Sequence, residues 1–544
     1  MKELSFVIDK AFIAGQRTET IGARNRDLLV TAKNMRPTEY GLAFNKEINE
    51  SLVSPPTTAW PYPNLLKGRS QTLLADDAAL YSVVESTGVL TELDVYAVAD
   101  AMNPTTSTVI GGTFPSSTGW TLNSGWAISG GKLNATAVAS GATAKQFNVD
   151  QDSPIVAGRL YRVTYTIDTI TSGAVYLHFG GVVSEPRTVA GTYTEDILAA
   201  TTGDIFFYTN TNFTGVIDNL SAYRIHEAVI PAGGGAWKLA DFGNVWFLFK
   251  ENCMIIKVPY FCAGYPVLVT AADDDLTCLT GENLGNRLFL GGITAETLLA
   301  TDNFIEAWKA WLENSSDWSD EVTYADMTLG SNMVMYSTRL GGDVYWPFII
   351  EMALLGLPYR TTSSVVADLK ANYIDWIRKG EIGFVHLPHQ GDVQYLKKLG
   401  STVVAYCTDG VSIISAREGR GYRAESVHNA GIASRSAVCG NENRHVFLDS
   451  NNVLWALDPS GKLDRIVGTG TFNVMVASEA SDPIVCSYDP EEQEHYICTG
   501  TSGYIHTRTG LGQITHLPTS LIVTPTGLEG VVVDLGTPDL EVET

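Results

Sequence analysis

Cys407-Thr408-Asp409-Gly410-Val411, Leu448-Asp449-Ser450-Asn451-Asn452-Val453 and Tyr488-Asp489-Pro490-Glu491-Glu492-Gln493-Glu494 repeat one piece of chain logic. In each, an apolar strand runs into a short polar turn and a second strand leaves it. Asp-Gly and Asn-rich turns supply the positive φ that tight hairpins require, and the third copy uses a longer turn. Hairpin units recurring at roughly 40–50 residues have the spacing of propeller blades. A blade exposes strand edges, and closing a ring of blades protects them.

Working outward from these three, six strand sets emerge. Ser70 to Leu74, Ala79 to Val84 and Leu90 to Val98 form the first. Trp237 to Ala240, Val245 to Phe249 and Met254 to Val258 form the second, and Thr277 to Leu279, Arg287 to Gly291 and Asn332 to Ser337 the third. Val393 to Lys397, Thr402 to Thr408 and Val411 to Ala416 form the fourth. Ser436 to Cys439, His445 to Leu448 and Val453 to Leu457 form the fifth, and Ile484 to Tyr488, Glu494 to Thr499 and Gly503 to Thr507 the sixth.

Two stretches have helical spacing instead. Ala295 to Leu312 places Leu298, Leu299, Phe304, Ala307, Trp308 and Trp311 on one face, and Ser363 to Lys379 does so with Val365, Val366, Leu369, Tyr373 and Trp376. Thr361 and Thr362 can cap the second and Gly380 can end it. Both read as packing insertions between blades, the rival reading being contact with a neighbouring subunit.

Residues 107–224 have another texture, rich in Thr, Ser, Gly and Ala and poor in charge. Leu160 to Ile167, Ala174 to Phe179, Asp204 to Thr209 and Val216 to Ser221 alternate apolar and polar residues, as strands with one buried face do. This is the size of a β-sandwich, inserted in a loop between the first two strand sets. The expected fold class is therefore mainly β: a propeller carrying an inserted jelly-roll sandwich and a few helical insertions. The expected division is an extended, proline-rich N-terminal arm over 1–65, the first part of the propeller over 66–106, the sandwich over 107–224, the remaining propeller over 225–520 and a C-terminal tail over 521–544.

Of the 544 residues, 60 are Asp or Glu and 36 are Lys or Arg, a net charge of −24. That balance opposes tight binding to DNA or to an anionic membrane, which need clustered cations. The most apolar stretch, Trp346 to Leu357, is about half the length of a membrane span and contains Glu351. Seven cysteines with no CxxC pair argue against a disulfide framework or a structural zinc site and suit a reducing cytosol.

No nucleophile elbow, P-loop or dinucleotide fingerprint occurs, so no cofactor and no catalytic residue is assigned. Pro388 removes the regular helix that would present His386 and His389 together as ligands, and Asp273-Asp274-Asp275 reads as a solvated loop, so no metal site is assigned either. Gly233-Gly234-Gly235 reads as the linker back into the propeller. A glycosidase needs only two well-spaced carboxylates, and sequence leaves that open. Among the sandwich aromatics Trp120, Trp126, Tyr161, Tyr165 and Tyr176, three readings stand: core filling, a sugar-stacking platform (Trp120, Trp126 and Tyr176 being its candidates), or contact with another protein.

Several phrases carry a resemblance. Trp237-Lys238-Leu239-Ala240-Asp241-Phe242-Gly243-Asn244, Leu329-Gly330-Ser331-Asn332-Met333-Val334, Glu381-Ile382-Gly383-Phe384 and Gly431-Ile432-Ala433-Ser434-Arg435-Ser436-Ala437-Val438 resemble the tail nozzle or hub propeller proteins of short-tailed bacteriophages. So does Asn34-Met35-Arg36-Pro37 with Tyr40-Gly41-Leu42, in the manner of that family's N-terminal arm. The resemblance implies a structural virion protein assembled in the host cytoplasm, a homo-oligomeric and typically hexameric ring. Its partners would be the head–tail adaptor and other tail proteins, and phage DNA would pass its acidic channel without sticking. Residues 107–224 resemble carbohydrate-binding jelly-roll modules, through Gly125-Trp126-Ala127-Ile128, Lys132-Leu133 and Ile217-Asp218-Asn219-Leu220-Ser221. That implies a host surface glycan as a further partner.

Overall fold

A computed structural model describes residues 35–38, 41–44, 64–97, 108–257, 264–270, 277–294, 331–337, 380–466, 484–507 and 511–534, with a few short gaps inside these stretches. Six small sheets follow one another along the chain, each built around four antiparallel strands in sequential order. Blade 1 contains Asn64–Lys67, Thr72–Ala75, Leu80–Val84 and Val89–Glu92. Blade 2 contains Lys238–Asp241, Trp246–Lys250, Cys253–Lys257 and Val267–Thr270, and blade 3 contains Thr277–Leu284, Arg287–Thr294, Met333–Tyr336 and Gly383–His386. Blade 4 contains Val393–Leu399, Thr402–Cys407, Val411–Ala416 and Tyr422–His428. Blade 5 contains Val438–Asn441, Arg444–Leu448, Leu454–Leu457 and Leu463–Arg465, and blade 6 contains Val485–Asp489, Glu494–Cys498, Gly503–His506 and Leu511–Ile514. The molecule is a β-propeller with an inserted β-sandwich.

The ring is closed by a hairpin, His516–Thr524 with Gly527–Asp534. Its first strand packs against the first strands of blade 6 and blade 1, so it fills the place between them. Stacked sheets bury their middle strands on both faces, and such strands read as unbroken apolar runs. In blade 2, Trp246, Phe247, Leu248 and Phe249 are all buried. Each such side chain contributes about 1.5–3 kcal/mol of transfer free energy. Arg435, in the link entering blade 5, donates to the carbonyls of Phe249 in blade 2 and Leu279 in blade 3, tying separate blades together.

The repeated turns work by two different devices. Asn452 (φ 58°) and Gln493 (φ 59°) adopt the left-handed conformation. Asp449 Oδ1 accepts from the N–H groups of Asn451 and Val453 at 2.9 and 2.8 Å, which fixes that turn. Gly410 does not have positive φ; a Cβ there would run into the imidazole of His389. The Asp-Gly pair thus marks a close approach between chain segments.

The sandwich leaves and re-enters beside blade 2 through paired connections. Tyr96–Ala97 adds to blade 2 in parallel with Val267 and Leu268, and Ala228 N–H bonds to Val95 O (2.7 Å) while Ala97 N–H bonds to His226 O (3.1 Å). One five-stranded sheet has the order Gly191–Leu198, Leu160–Ser172, Phe213–Ile225, Lys132–Val138, Trp126–Ser129. The other has the order Val182–Val183, Val175–Phe179, Ile205–Thr209, Thr143–Gln146, Thr121–Leu122.

Several expectations are corrected in detail. Tyr96, assigned to the first strand set, belongs to the second sheet. The stretch 1–65, expected as an extended arm, contains the hairpin Met35–Thr38 with Gly41–Phe44 and the start of blade 1 at Asn64. Its Pro37 sits in a two-stranded hairpin, where a missing N–H is tolerated. The tail expected from 521 begins inside the closing hairpin. The helical stretches 295–312 and 363–379 and the triple aspartate at 273–275 lie outside the described residues.

Candidate functional site

Alternation along two paired strands sorts the sandwich aromatics into two layers. Leu177, Phe179, Ile205 and Phe207 face inward and are fully buried, with Phe179 packed on Tyr161 (5.2 Å) and Phe207 on Tyr165 (5.4 Å). The residues between them, Tyr176, His178, Phe206 and Tyr208, face outward and are half-buried.

Strand register places these four opposite one another in pairs. The rings of Tyr176 and Tyr208 stack at 5.0 Å and 17°, and those of His178 and Phe206 at 4.1 Å and 14°. Phe206 and Tyr208, on the same strand, lie 5.9 Å apart and join the pairs into one strip.

Polar groups border the strip. Lys145, opposite Phe206 in register, lies 5.6 Å from its ring and 4.4 Å from that of Phe147, and forms an ion pair with Asp204 (2.6 Å). Asn210 donates to the Tyr176 hydroxyl. Burial pushes the Tyr208 hydroxyl pKa up, aided by Tyr176. It pushes His178 down, so the ring stays neutral at pH 7. Burial works against the charge of Asp204, but Lys145 and the Asn148 N–H outweigh it and hold that carboxyl below its usual range. A neutral aromatic strip with hydroxyl, amide and charged groups at its border suits a ligand having apolar faces and a polar rim, the description of a sugar ring.

Of the three candidates from sequence, only Tyr176 belongs to this face. Trp120 and Trp126 are core residues, 7% and 5% exposed, and their indole N–H groups bond to Ile110 O (3.3 Å) and Ala142 O (3.2 Å). A tryptophan that finds a partner for its N–H is stable inside a sandwich. Tyr161 and Tyr165 are also buried. Sequence reading missed His178, Phe206 and Tyr208; the signal was the shared alternation of Val175–Phe179 and Ile205–Thr209.

Elsewhere, His386 ends the last strand of blade 3 while His389 contacts Ser426 (3.1 Å), so the two histidines do not converge. Among the described residues, no group of three or more His, Cys, Asp or Glu is placed to hold a metal ion. Cys253, Cys278, Cys407, Cys439 and Cys498 are buried free thiols and Cys486 is half-buried. No described helix is long and apolar enough to cross a membrane. On the propeller axis, where a glycosidase would need paired carboxylates, a cavity is lined by no Asp or Glu among the described residues.

No family model matches this chain, and no curated protein does. Among solved structures, the Pan2 WD40 domain of Neurospora crassa is similar at 9% identity, covering 69% of this chain and 94% of that one, with a TM-score of 0.28. BamB from Moraxella catarrhalis is similar at 10% identity over 56% and 81% of the two chains, with a TM-score of 0.26. A mutant of a family 29 carbohydrate-binding module is similar at 13% identity over 20% and 71%, with a TM-score of 0.14. At such scores the fold assignment rests on sheet order and register rather than on these similarities.

Proposed function

We propose that this chain is a non-enzymatic structural protein of a phage virion, a ring-forming subunit of the tail nozzle or hub. The observation that carries the reading is where the resembling phrases fall. Trp237 to Gly243 forms the first strand of blade 2 and its turn, and Gly431 to Val438 forms the link into blade 5, bridged to Asp449 through Ile432. They mark the joints of a closed ring of sheets, a stiff body with protected edges that suits the wall of a conduit. The net charge of −24 favours passage of DNA without adhesion. Cryo-EM of the native particle tests this: a ring of these chains, most often six, around a central channel with carboxylates facing the lumen is expected. Isolated copies at fibre tips would overturn it.

A second reading, attachment to a host surface glycan, is favoured by the stacked strip of Tyr176, Tyr208, His178 and Phe206. The two are compatible if the sandwich decorates the ring. Affinity electrophoresis of the full chain in gels containing host polysaccharide tests it. Saturable retardation abolished by Tyr176→Ala with Tyr208→Ala is expected, and unchanged mobility in every polysaccharide tested would refute it.

A further inference from the structure

Two cysteines far apart in sequence meet where blade 5 packs on blade 6. The first strands of these blades, Val438–Asn441 and Val485–Asp489, lie against each other. Cys486 N–H bonds to Ser436 O (2.8 Å) at one end of the contact, and Asn441 Nδ2 donates to the Tyr488 hydroxyl (3.0 Å) at the other. Side chains two apart on a strand share a face. Cys439 therefore shares the face of Asn441, Cys486 shares that of Tyr488, and the bond between Asn441 and Tyr488 shows that the two faces meet. Cys439 and Cys486 belong to one apolar cluster with Ile484, Ile497 and Tyr504. Their thiols are hydrogen-bonded to each other; this bond, then burial and the nearness of Cys439 and Cys498, push the Cys486 pKa well above its ordinary value.

The pair also has an approach from outside the cluster. Both cysteines line the cavity between blades 1, 4, 5 and 6, whose volume is about 400 Å³, and Cys486 is only half-buried. Ser487 lines the same cavity at 6% exposure, and its hydroxyl has no hydrogen-bond partner. Such a group in a roomy site offers a foothold to a small polar molecule. Cys253, Cys278, Cys407 and Cys498 are buried thiols outside the cavity lining.

We infer that Cys439 and Cys486 form a modification site, a dithiol that a peroxide entering the cavity oxidises to a disulfide joining blade 5 to blade 6. One thiol, deprotonated, attacks a peroxide oxygen; the O–O bond breaks, the sulfur becomes a sulfenic acid and the other oxygen takes a proton and leaves as water. The second sulfur attacks the first, the S–O bond breaks, the S–S bond forms, and the hydroxide takes the remaining thiol proton as the second water. Two thiols lose two electrons and one hydrogen peroxide becomes two waters. The thiolate is the nucleophile, so burial makes the step slow and leaves the selectivity to proximity. The inference is independent of the virion reading, since it concerns one joint of the propeller.

Treatment of the folded full chain with hydrogen peroxide, followed by alkylation under denaturing conditions and peptide mapping, tests this. Cys439 and Cys486 should be lost to alkylation together and recovered as one disulfide-linked peptide pair, and dithiothreitol should restore both. Cys253, Cys278 and Cys407 should remain alkylated. Unfolding in urea before oxidation should erase the preference, because loop closure then favours Cys498, the nearer neighbour of Cys486 in sequence. Cys498→Ser should leave the yield of the linked pair unchanged; should that variant fail to fold, the wild-type map decides alone. A folded chain that yields no Cys439–Cys486 link, or that links Cys486 to Cys498 instead, would overturn the inference, as would the same pairing in the unfolded chain.

Discussion

Acid should loosen blade 6 before the carboxylates of the chain begin to titrate. His495 and His506 stand opposite each other on adjacent strands, with rings 5.7 Å apart. They are 3% and 9% exposed, and neither nitrogen of His495 nor Nδ1 of His506 has a hydrogen-bond partner. Burial, then His506 and Arg444, hold His495 down at about 3; burial, then Arg444, holds His506 at about 4. Both folded values lie below the unfolded value of about 6.5, so the neutral rings contribute full stability above that pH and lose it as pH falls toward 4 and 3. One pH unit below the unfolded value, each ring costs about 1.4 kcal/mol, or about 3 kcal/mol for the pair at about pH 5.5. Melting of the whole chain would mix several domains. Hydrogen exchange, corrected for its intrinsic pH dependence, reads the amides of Val485–Asp489, Glu494–Cys498 and Gly503–His506 locally. Their protection should drop by roughly a hundredfold between pH 7.5 and 5.5, and blade 6 of the His495→Leu, His506→Leu protein should show no such drop. An equal drop in the double variant would refute the reasoning.

Other consequences follow from particular contacts. Tyr208→Ala breaks the stack with Tyr176 and should weaken any saturable glycan binding about tenfold, read by affinity electrophoresis, with the circular dichroism of the chain unchanged. Trp126→Ala removes a buried indole and should destabilise the sandwich by about 3–5 kcal/mol without changing the rim of the strip, seen as a lowered sandwich transition in calorimetry. Arg162 holds Asp196 through two bonds, at 2.9 and 3.1 Å, with both side chains nearly inaccessible. Arg162→Ala removes the guanidinium that answers that buried carboxylate and should cost about 3–5 kcal/mol, whereas replacing both residues by apolar ones should cost much less. Gly173 (φ 79°) has the backbone of Asn212 where a Cβ would go, so Gly173→Ala should destabilise the sandwich more than a change at the open Gly141, compared by thermal unfolding.

Blade identity was legible in sequence because its signal is local. A strand, a polar turn and a returning strand occupy about ten consecutive residues, and the three turns at 407–411, 448–453 and 488–494 carry it without reference to anything distant. The sandwich was legible by its change of texture between 107 and 224. The face that could bind a ligand was not. Trp120 and Trp126 stand out in sequence by residue type, but type does not say which side of a sheet a residue takes. That depends on pairing Val175–Phe179 with Ile205–Thr209, segments separated by 25 residues of other strands and turns. Only the pairing brings Tyr176 to Tyr208 and His178 to Phe206.

The same division holds for the axis. Sequence determined that the chain is acidic, rich in hairpins and mainly β, because those properties add residue by residue. How the hairpin His516–Asp534 closes the ring and which histidines lose water were decided by tertiary structure. Each depends on strands from different blades meeting, and charge, burial and hydrogen-bond satisfaction are properties of that meeting rather than of any one segment.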